Sequence, residues 1–511
     1  MVLLTILRGV TSLQDYAPDL YVNELPVPQS EEISTPQFIL GFVGEFDRGP
    51  LNKYMLISET PSKRLIEIAE PILGSSTKKL AGNQLLDHLH HARIKKAAFV
   101  RVLGSGHQTA SLHLKDRQDK ETARVYPKAG PGEYANIFTV EVQEGTKANT
   151  FKLILWSDLG GFETYDNLSK NPEDARYVEK VIQSTSEHFV FEDVKAEKDF
   201  DTTRPAVMAR TQLKNGSNGA PLTDQDRIGS FDPGTGVRTG QRLLGVIGNI
   251  LTDVAHINYS SPEVDKALIA LSEKHNFIAY IGTTKAQTIT EASEYRVQFD
   301  SDFGQMVYGY YSSTTGQRIS GSCLSAIAHV KGQIEDSGLA VECNWIAGTD
   351  QELEFEDYQE LFTHQIAAFQ LKPSAKGDGS YAWRMANDYT LAKNDVAGDP
   401  IADNKNRKVN RRRLNSWIEK QLEAVAAPWQ GKAMTKPMKE AADMRIRTFF
   451  DNLVKPTNPL ETSKIEAYSI RFNSKAQSID QFVQELKVKH YNTAEWILLN
   501  YQGGTNVEVD V

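Results

Sequence analysis

The sequence predicts an α/β and α+β multidomain protein. It has a central mixed α/β domain with an inserted antiparallel β domain, a C-terminal α+β domain, and strand-like arms at both termini. Three observations predict this. First, 511 residues exceed one ordinary core, so two to four domains are expected. Second, strand-period and helix-period segments alternate from Gln37 and again after Leu243, the rhythm of α/β layering. Third, residues 106–195 between them alternate apolar and polar side chains, with turn signals such as Pro131-Gly132.

In order, residues 1–22 read as an N-terminal arm, because Val2–Leu7 (VLLTIL) has strand composition and a polar stretch follows it. Residues 23–105 begin the α/β core. QFILGFVG and YMLIS read as strands, QLLDHLHHARI as a short helix and KAAFVRVL as a buried strand. The glycines of GFVGEFDRGP let the chain reverse between the first two strands. The inserted β domain, 106–195, contains TASLHLKD, NIFTVEVQ and TFKLILW. The core resumes over 196–375, where Ser261 caps a helix that opens with Pro262 and FIAYIGT follows as a strand, a βαβ unit. Residues 376–500 read as a polar loop, then helices over Asn406–Ala427 and Pro437–Val454, then strands AYSIRFN, ELKVKHY and EWILLNY. Residues 501–511 form the C-terminal arm, with Val507, Val509 and Val511 on one face after the hinge Gly503-Gly504.

Composition narrows the function. A charged fraction of 24% is that of a soluble globular chain, and the net charge of −9 argues against a general nucleic-acid binder. Two cysteines, Cys323 and Cys343, fit a reducing cytoplasm. The N-terminus lacks the basic region and cleavage site of a signal peptide, and no window has the ~20 apolar residues of a membrane span.

No chemistry-bearing motif is complete. Gly41, Gly44 and Gly49 miss the dinucleotide spacing, and no Gly-Lys-Ser/Thr follows them. His88 and His91 share a helical face but two imidazoles are an incomplete metal site. Asp302-Phe303-Gly304 lacks the other kinase motifs, and Cys323 lies in a small-residue packing helix. The reading is therefore no enzyme, no cofactor and no metal. The basic run KNRKVNRRR holds Arg407, Lys408, Arg411, Arg412 and Arg413 at a helix start, where it opposes the helix dipole and invites an acidic protein partner.

The order of segments resembles the contractile tail sheath proteins of phages and related injection machines. APDLYVNE, the GFVGEFDRGPLNKYMLIS strand–turn–strand, KAAFVRVLG, KAGPGEYANIFTVEV, DNLSKNPEDARYVEKVI, and SYAWRMANDYTLA with VNRRRLNSWIEKQLE are similar to that family's segments in the same order. The loop between Leu391 and Val409 is longer than the family's, and Gly321-Ser322-Cys323 stands where the family often has a proline-rich helix start.

The resemblance implies a subunit that polymerises as stacked hexameric rings around a tail tube and contracts to drive the tube through a target envelope. The implied partners are other copies of itself, the tail tube protein, and baseplate and tail terminator proteins. Direct nucleic-acid binding and membrane insertion are not implied. The implied location is the virion, with assembly in the host cytoplasm. An unpaired strand is a template for another chain's backbone. The arms, through Val2, Leu4, Ile6, Val507, Val509 and Val511, are therefore expected to add to neighbours' sheets beside Leu486 and Val488. The helix Asn406–Ala427 is the expected tube-facing surface. A hydrolase-like α/β enzyme with a β accessory domain is the alternative from a different class, and a tube or baseplate component is a third reading.

Overall fold

The computed structural model describes residues 38–158, 161–194, 200, 202–283, 288–393, 407–429, 435–456, 462–472 and 484–491. Both arms, the Gly503-Gly504 hinge and EWILLNY lie outside these residues.

In chain order the core begins with β1 (Leu40–Gly44), β2 (Tyr54–Ser58), α1 (Leu65–Leu73), α2 (Ala81–His91) and β3 (Lys96–Arg101). The inserted unit has β4 (Leu112–Lys115), β5 (Glu121–Pro127), β6 (Thr139–Glu144), β7 (Phe151–Trp156), β8 (Phe162–Leu168), α3 (Val178–Thr185), β9 (Phe189–Asp193) and β10 (Met208–Gln212). The core resumes with α4 (Asp224–Ile228), β11 (Asp253–His256), α5 (Pro262–His275), β12 (Ile278–Gly282), α6 (Ile289–Arg296) and β13 (Gly304–Val307). Next come β14 (Tyr310–Ser313), β15 (Arg318–Ser320), α7 (Gly321–Lys331), β16 (Ile346–Thr349), α8 (Phe355–Thr363), β17 (Ile366–Ala367), β18 (Phe369–Pro373) and β19 (Tyr381–Met385). The C-terminal module holds α9 (Val409–Ala426), α10 (Lys436–Val454), β20 (Ala467–Phe472) and β21 (Gln484–Lys489).

The core sheet has the order β17-β13-β12-β11-β1-β3-β2. Every pair is parallel except β2–β3. Both faces are covered, so its strands read as continuous apolar runs instead of alternating ones. Leu40, Phe42, Ala97 and Phe99 face a layer built on α1, α2 and α7, whereas Ile39, Val43, Ala98 and Val100 face α5 and α6. The Ser261 cap forms as expected, its Oγ accepting from the Val264 amide, with Pro262 at the first turn.

The chain does reverse between β1 and β2, yet the two are not neighbours, because β3 is inserted between them. Gly44 is needed for close approach, since a Cβ there would lie 2.8 Å from Ile257. Gly49 has φ +123°, a region that β-carbons disfavour. The turn is held by the buried Arg101. Its guanidinium donates to the carbonyls of Phe46 (3.0 Å), Asp47 (3.1 Å), Gly49 (2.8 Å) and Pro131 (2.7 Å). Pro131 belongs to the inserted unit, and the Gly49 amide also donates to Ala129 O at 2.8 Å. One cation thus fastens the insertion to the core.

The insertion has its own core, including Val140, Leu153, Phe138 and Phe189. Its four-stranded sheet, β10-β6-β7-β8, takes its edge strand from beyond residue 195. Further bridges, Gln108↔Ser217 and Ser111↔Lys214, tie its entry to its exit.

Arg101→Met should strand four carbonyls and lower stability by about 3 kcal/mol. Arg101→Lys should recover little of it, because one ammonium does not reach four acceptors. Thermal and denaturant unfolding check both, and an unchanged midpoint would refute the clamp.

Candidate assembly interface

Helix α9 carries two stripes. Leu414, Trp417 and Ile418 pack on Ile446, Phe449, Phe450 and Leu453 of α10, with Ile470 of β20 beneath. The other stripe is basic and enters the α/β core. Arg413 pairs bidentately with Asp253 at the start of β11, Nε–Oδ1 2.8 Å and Nη2–Oδ2 3.0 Å. Tyr280 of β12 donates to the same carboxylate at 2.7 Å. Burial alone would raise the Asp253 carboxyl, but the Arg413 guanidinium and its hydrogen bonds hold it below the usual carboxylate range. Arg412 donates to Glu419 at 2.9 Å and lies 4.4 Å above the Phe303 ring. Lys420 donates to the carbonyls of Gly248 (3.0 Å) and Leu251 (2.5 Å).

This corrects the expectation of a wholly tube-facing basic run. Arg412 and Arg413 are 5% and 3% exposed and serve the seam between α9 and the core. An ion pair removed from water needs its partner, so these two cations are held inside the chain. Lys408 stands 3.9 Å over the Tyr389 ring and Arg407 5.6 Å from it, both half-buried, as is Arg411.

β20 and β21 form a two-stranded antiparallel sheet, with Tyr468 opposite Val488 and Ile470 opposite Leu486. Leu486 and Val488 are half-buried and pack against the α9–α10 cluster. Their side chains therefore anchor the strand inward. Among the described residues, β20 is the only strand partner of β21.

Among the described residues, the places where such chemistry would sit are filled. In open α/β sheets, ligands bind outside the strand C-termini where the strand order reverses, here between β1 and β11. Arg227 reaches Glu45 there at 3.3 Å, and His256 pairs with Gln241 at 2.7 Å. A Ser325–His329–Asp388 group exists, but all three are at most 1% exposed. Ser325 Oγ is held by Gln305 at 2.6 Å, and the two His329 nitrogens face the Ser325 carbonyl and Asp388, each at 2.9 Å. No substrate reaches this group. His88 is buried with Nε2 2.8 Å from Gln317 O, and burial lowers its pKa to about 4. Burial also raises the thiols of Cys323 and Cys343, to about 11 and 12. Among the described residues no group of three or more His, Cys, Asp or Glu could hold a metal ion, and no helix is long and apolar enough to cross a membrane.

No protein-family profile and no curated protein matches this sequence. Solved structures do. A sheath tail protein from Desulfitobacterium hafniense superposes with TM-score 0.59 at 12% identity, over 93% of this chain and 100% of that one. The fold is that of a tail sheath protein. A sheath tail protein from Listeria innocua gives TM-score 0.58 at 13% identity, over 89% of this chain and 96% of that one. The helical sheath of the anti-feeding prophage in its contracted state gives 0.51 at 12%, over 95% and 99%. The sheath fold therefore spans core, insertion and C-terminal module together.

Two measurements test the seam. Arg413→Met leaves Asp253 buried without its cation and should cost about 3–5 kcal/mol, read by denaturant unfolding. Burial lowers the Lys420 pKa to about 7, against 10.5 for a free lysine. Between these values the unfolded chain binds more protons, so the Lys420 contribution to stability rises as pH increases from about 7 to 10. Relative to Lys420→Met, the wild type should gain about 2 kcal/mol over that window, since the side chain keeps some solvent contact. A flat difference would refute the shift.

Proposed function

We propose that this chain is the structural subunit of a contractile tail sheath, polymerising as stacked hexameric rings around a tail tube and contracting to drive the tube through a target envelope. The observation that carries the reading is the fold match over nearly the whole length of solved sheath tail proteins, at TM-scores of 0.59 and 0.58. The role is mechanical, with no catalytic step and no cofactor.

Assembly runs through the outer edge of β21. Residues Val2–Leu7 and Val507–Val511 of neighbouring copies add there as strands, gaining main-chain hydrogen bonds and side-chain register. Leu486 and Val488 hold the template strand against α9 and α10 while its edge receives the arm. Gly503-Gly504 lets the arm turn, so rings move as bodies without losing their links. Arg407, Lys408 and Arg411 remain the tube-facing candidates, their weak pairs of about 0–1 kcal/mol each suiting a contact that must release. The other partners are the tube, baseplate and terminator proteins of a phage tail or related injection machine, assembled in the host cytoplasm.

Purified protein imaged by electron microscopy at rising concentration should form striated hollow tubes. Deleting residues 505–511 should leave the melting temperature unchanged and abolish the tubes; normal tubes from the truncated chain would overturn the arm mechanism. Arg411→Glu should reduce assembly around tail tubes without unfolding the chain, and undiminished co-sedimentation would count against a tube-facing role.

A further inference from the structure

Among the described residues, no lysine or arginine pairs with Asp265 of α5, although Asp265 is only 1% exposed. The charged group facing it is Asp224 of α4, which has the same sign. Arg227 of α4 is turned to Glu45 and the Tyr259 ring, and Arg296 of α6 donates to the carbonyls of Phe299 and Leu391. Glu263, on α5 itself, adds negative charge beside Tyr295 of α6. The start of α5 favours an anion, but weakly compared with what burial costs one. A carboxylate buried without a cation avoids that cost by taking up a proton.

The oxygens around the carboxyl require that proton. Ser260 Oγ lies 2.6 Å from Asp265 Oδ2 and 2.8 Å from Gly282 O, at the end of β12, and Tyr295 Oη lies 2.7 Å from the same Oδ2. Each contact is short enough to need a hydrogen between its two oxygens. The Gly282 carbonyl can only accept, so the Ser260 hydrogen goes there, and the Tyr295 hydrogen goes to Asp265. The contact between Ser260 and Asp265 is left for a hydrogen on Asp265 itself. We propose that Asp265 is a proton-held latch, its neutral carboxyl donating to Ser260 Oγ and so joining the end of β12, the start of α5 and helix α6. On ionisation the proton passes to solvent, and Ser260 then has one hydrogen for two acceptors, Asp265 and Gly282. One contact is lost and this corner of the core loosens. Burial places the change at about 7, against 3.8 for a free aspartate. The folded chain thus binds this proton more tightly than the unfolded one. The stability it confers is complete below about pH 4 and falls as pH rises to about 7. The latch is independent of sheath assembly.

Infrared difference spectroscopy of the full-length chain is the test, because the carbonyl stretch of a protonated carboxylic acid stands apart from carboxylate bands. Just below neutral pH the wild type should show such a band that is absent from Asp265→Asn, whose amide can still donate to Ser260. The band should fade as pH rises through about 7. Tyr295→Phe removes a donor to the carboxylate and should move that midpoint to higher pH, whereas Asp224→Asn removes a like charge and should move it lower. The unfolding constant of the wild type relative to Asp265→Asn should rise at least about tenfold between about pH 4 and 7. A wild type without the band, a midpoint that neither Tyr295→Phe nor Asp224→Asn moves, or a ratio of unfolding constants that stays flat with pH would each overturn the proposal.

Discussion

The pairing of Arg413 with Asp253 is the constraint on which the C-terminal half rests. Asp253 begins β11, a central strand of the seven-stranded sheet, and Tyr280 from the adjoining strand completes its hydrogen bonding. A carboxylate in that position is intolerable without a cation, and the cation comes from a helix of another module. A bidentate pair has one geometry. Sliding α9 by a turn would strand both charges, whereas an apolar face would re-pack at lower cost. The orientation of α10, β20 and β21 relative to the core follows from this pair, with Lys420 fixing the helix further along its length.

The two seams of the molecule are joined by different means. The insertion is held by Arg101, whose acceptors are all carbonyl oxygens, by backbone contacts, and by the ion pair of Arg48 with Asp158. Burial lowers the Arg101 pKa to about 10, which leaves it charged across the ordinary pH range. The C-terminal seam instead joins the opposite charges of Arg413 and Asp253, and burial lowers the pKa of Lys420 beside it to about 7. The first joint is insensitive to pH near neutrality. The second holds a lysine whose burial brings its charge change towards neutrality, so the Lys420 contact of α9 is pH-sensitive there.

Local pattern made much of this fold legible. β1, β3, α5 with its Ser261 cap, and the two C-terminal helices follow from periodicity, capping and composition, which depend on neighbours in sequence. Sheet order did not, because β3 enters between β1 and β2 only through nonlocal pairing. α1 went unread, since Pro71 lies inside it. The basic run was visible, but its burial was not, because Asp253 precedes Arg413 by 160 residues. One signal did point there. ILTDVAHINY places a lone Asp in a strand otherwise apolar enough to be buried, and such an Asp requires a cation from elsewhere. Leu486 and Val488 were legible as strand residues, while the direction they face depends on α9 and α10.

The same packing fills the place where a sheet of this kind usually takes a ligand. In such sheets the reversal point between strands is a crevice because nothing in the layer covers it. Here the chain returns from its β insertion across that point. Arg227 and Gln241 reach Glu45 and His256 on the way, before β11 begins. The segment returning from the insertion thus closes the crevice. What the sheet retains is stiffness, because both faces and the reversal point are packed. In the proposed assembly that stiffness is the useful property, since a subunit linked to its neighbours through an edge strand transmits motion only as far as the body behind that edge resists deformation.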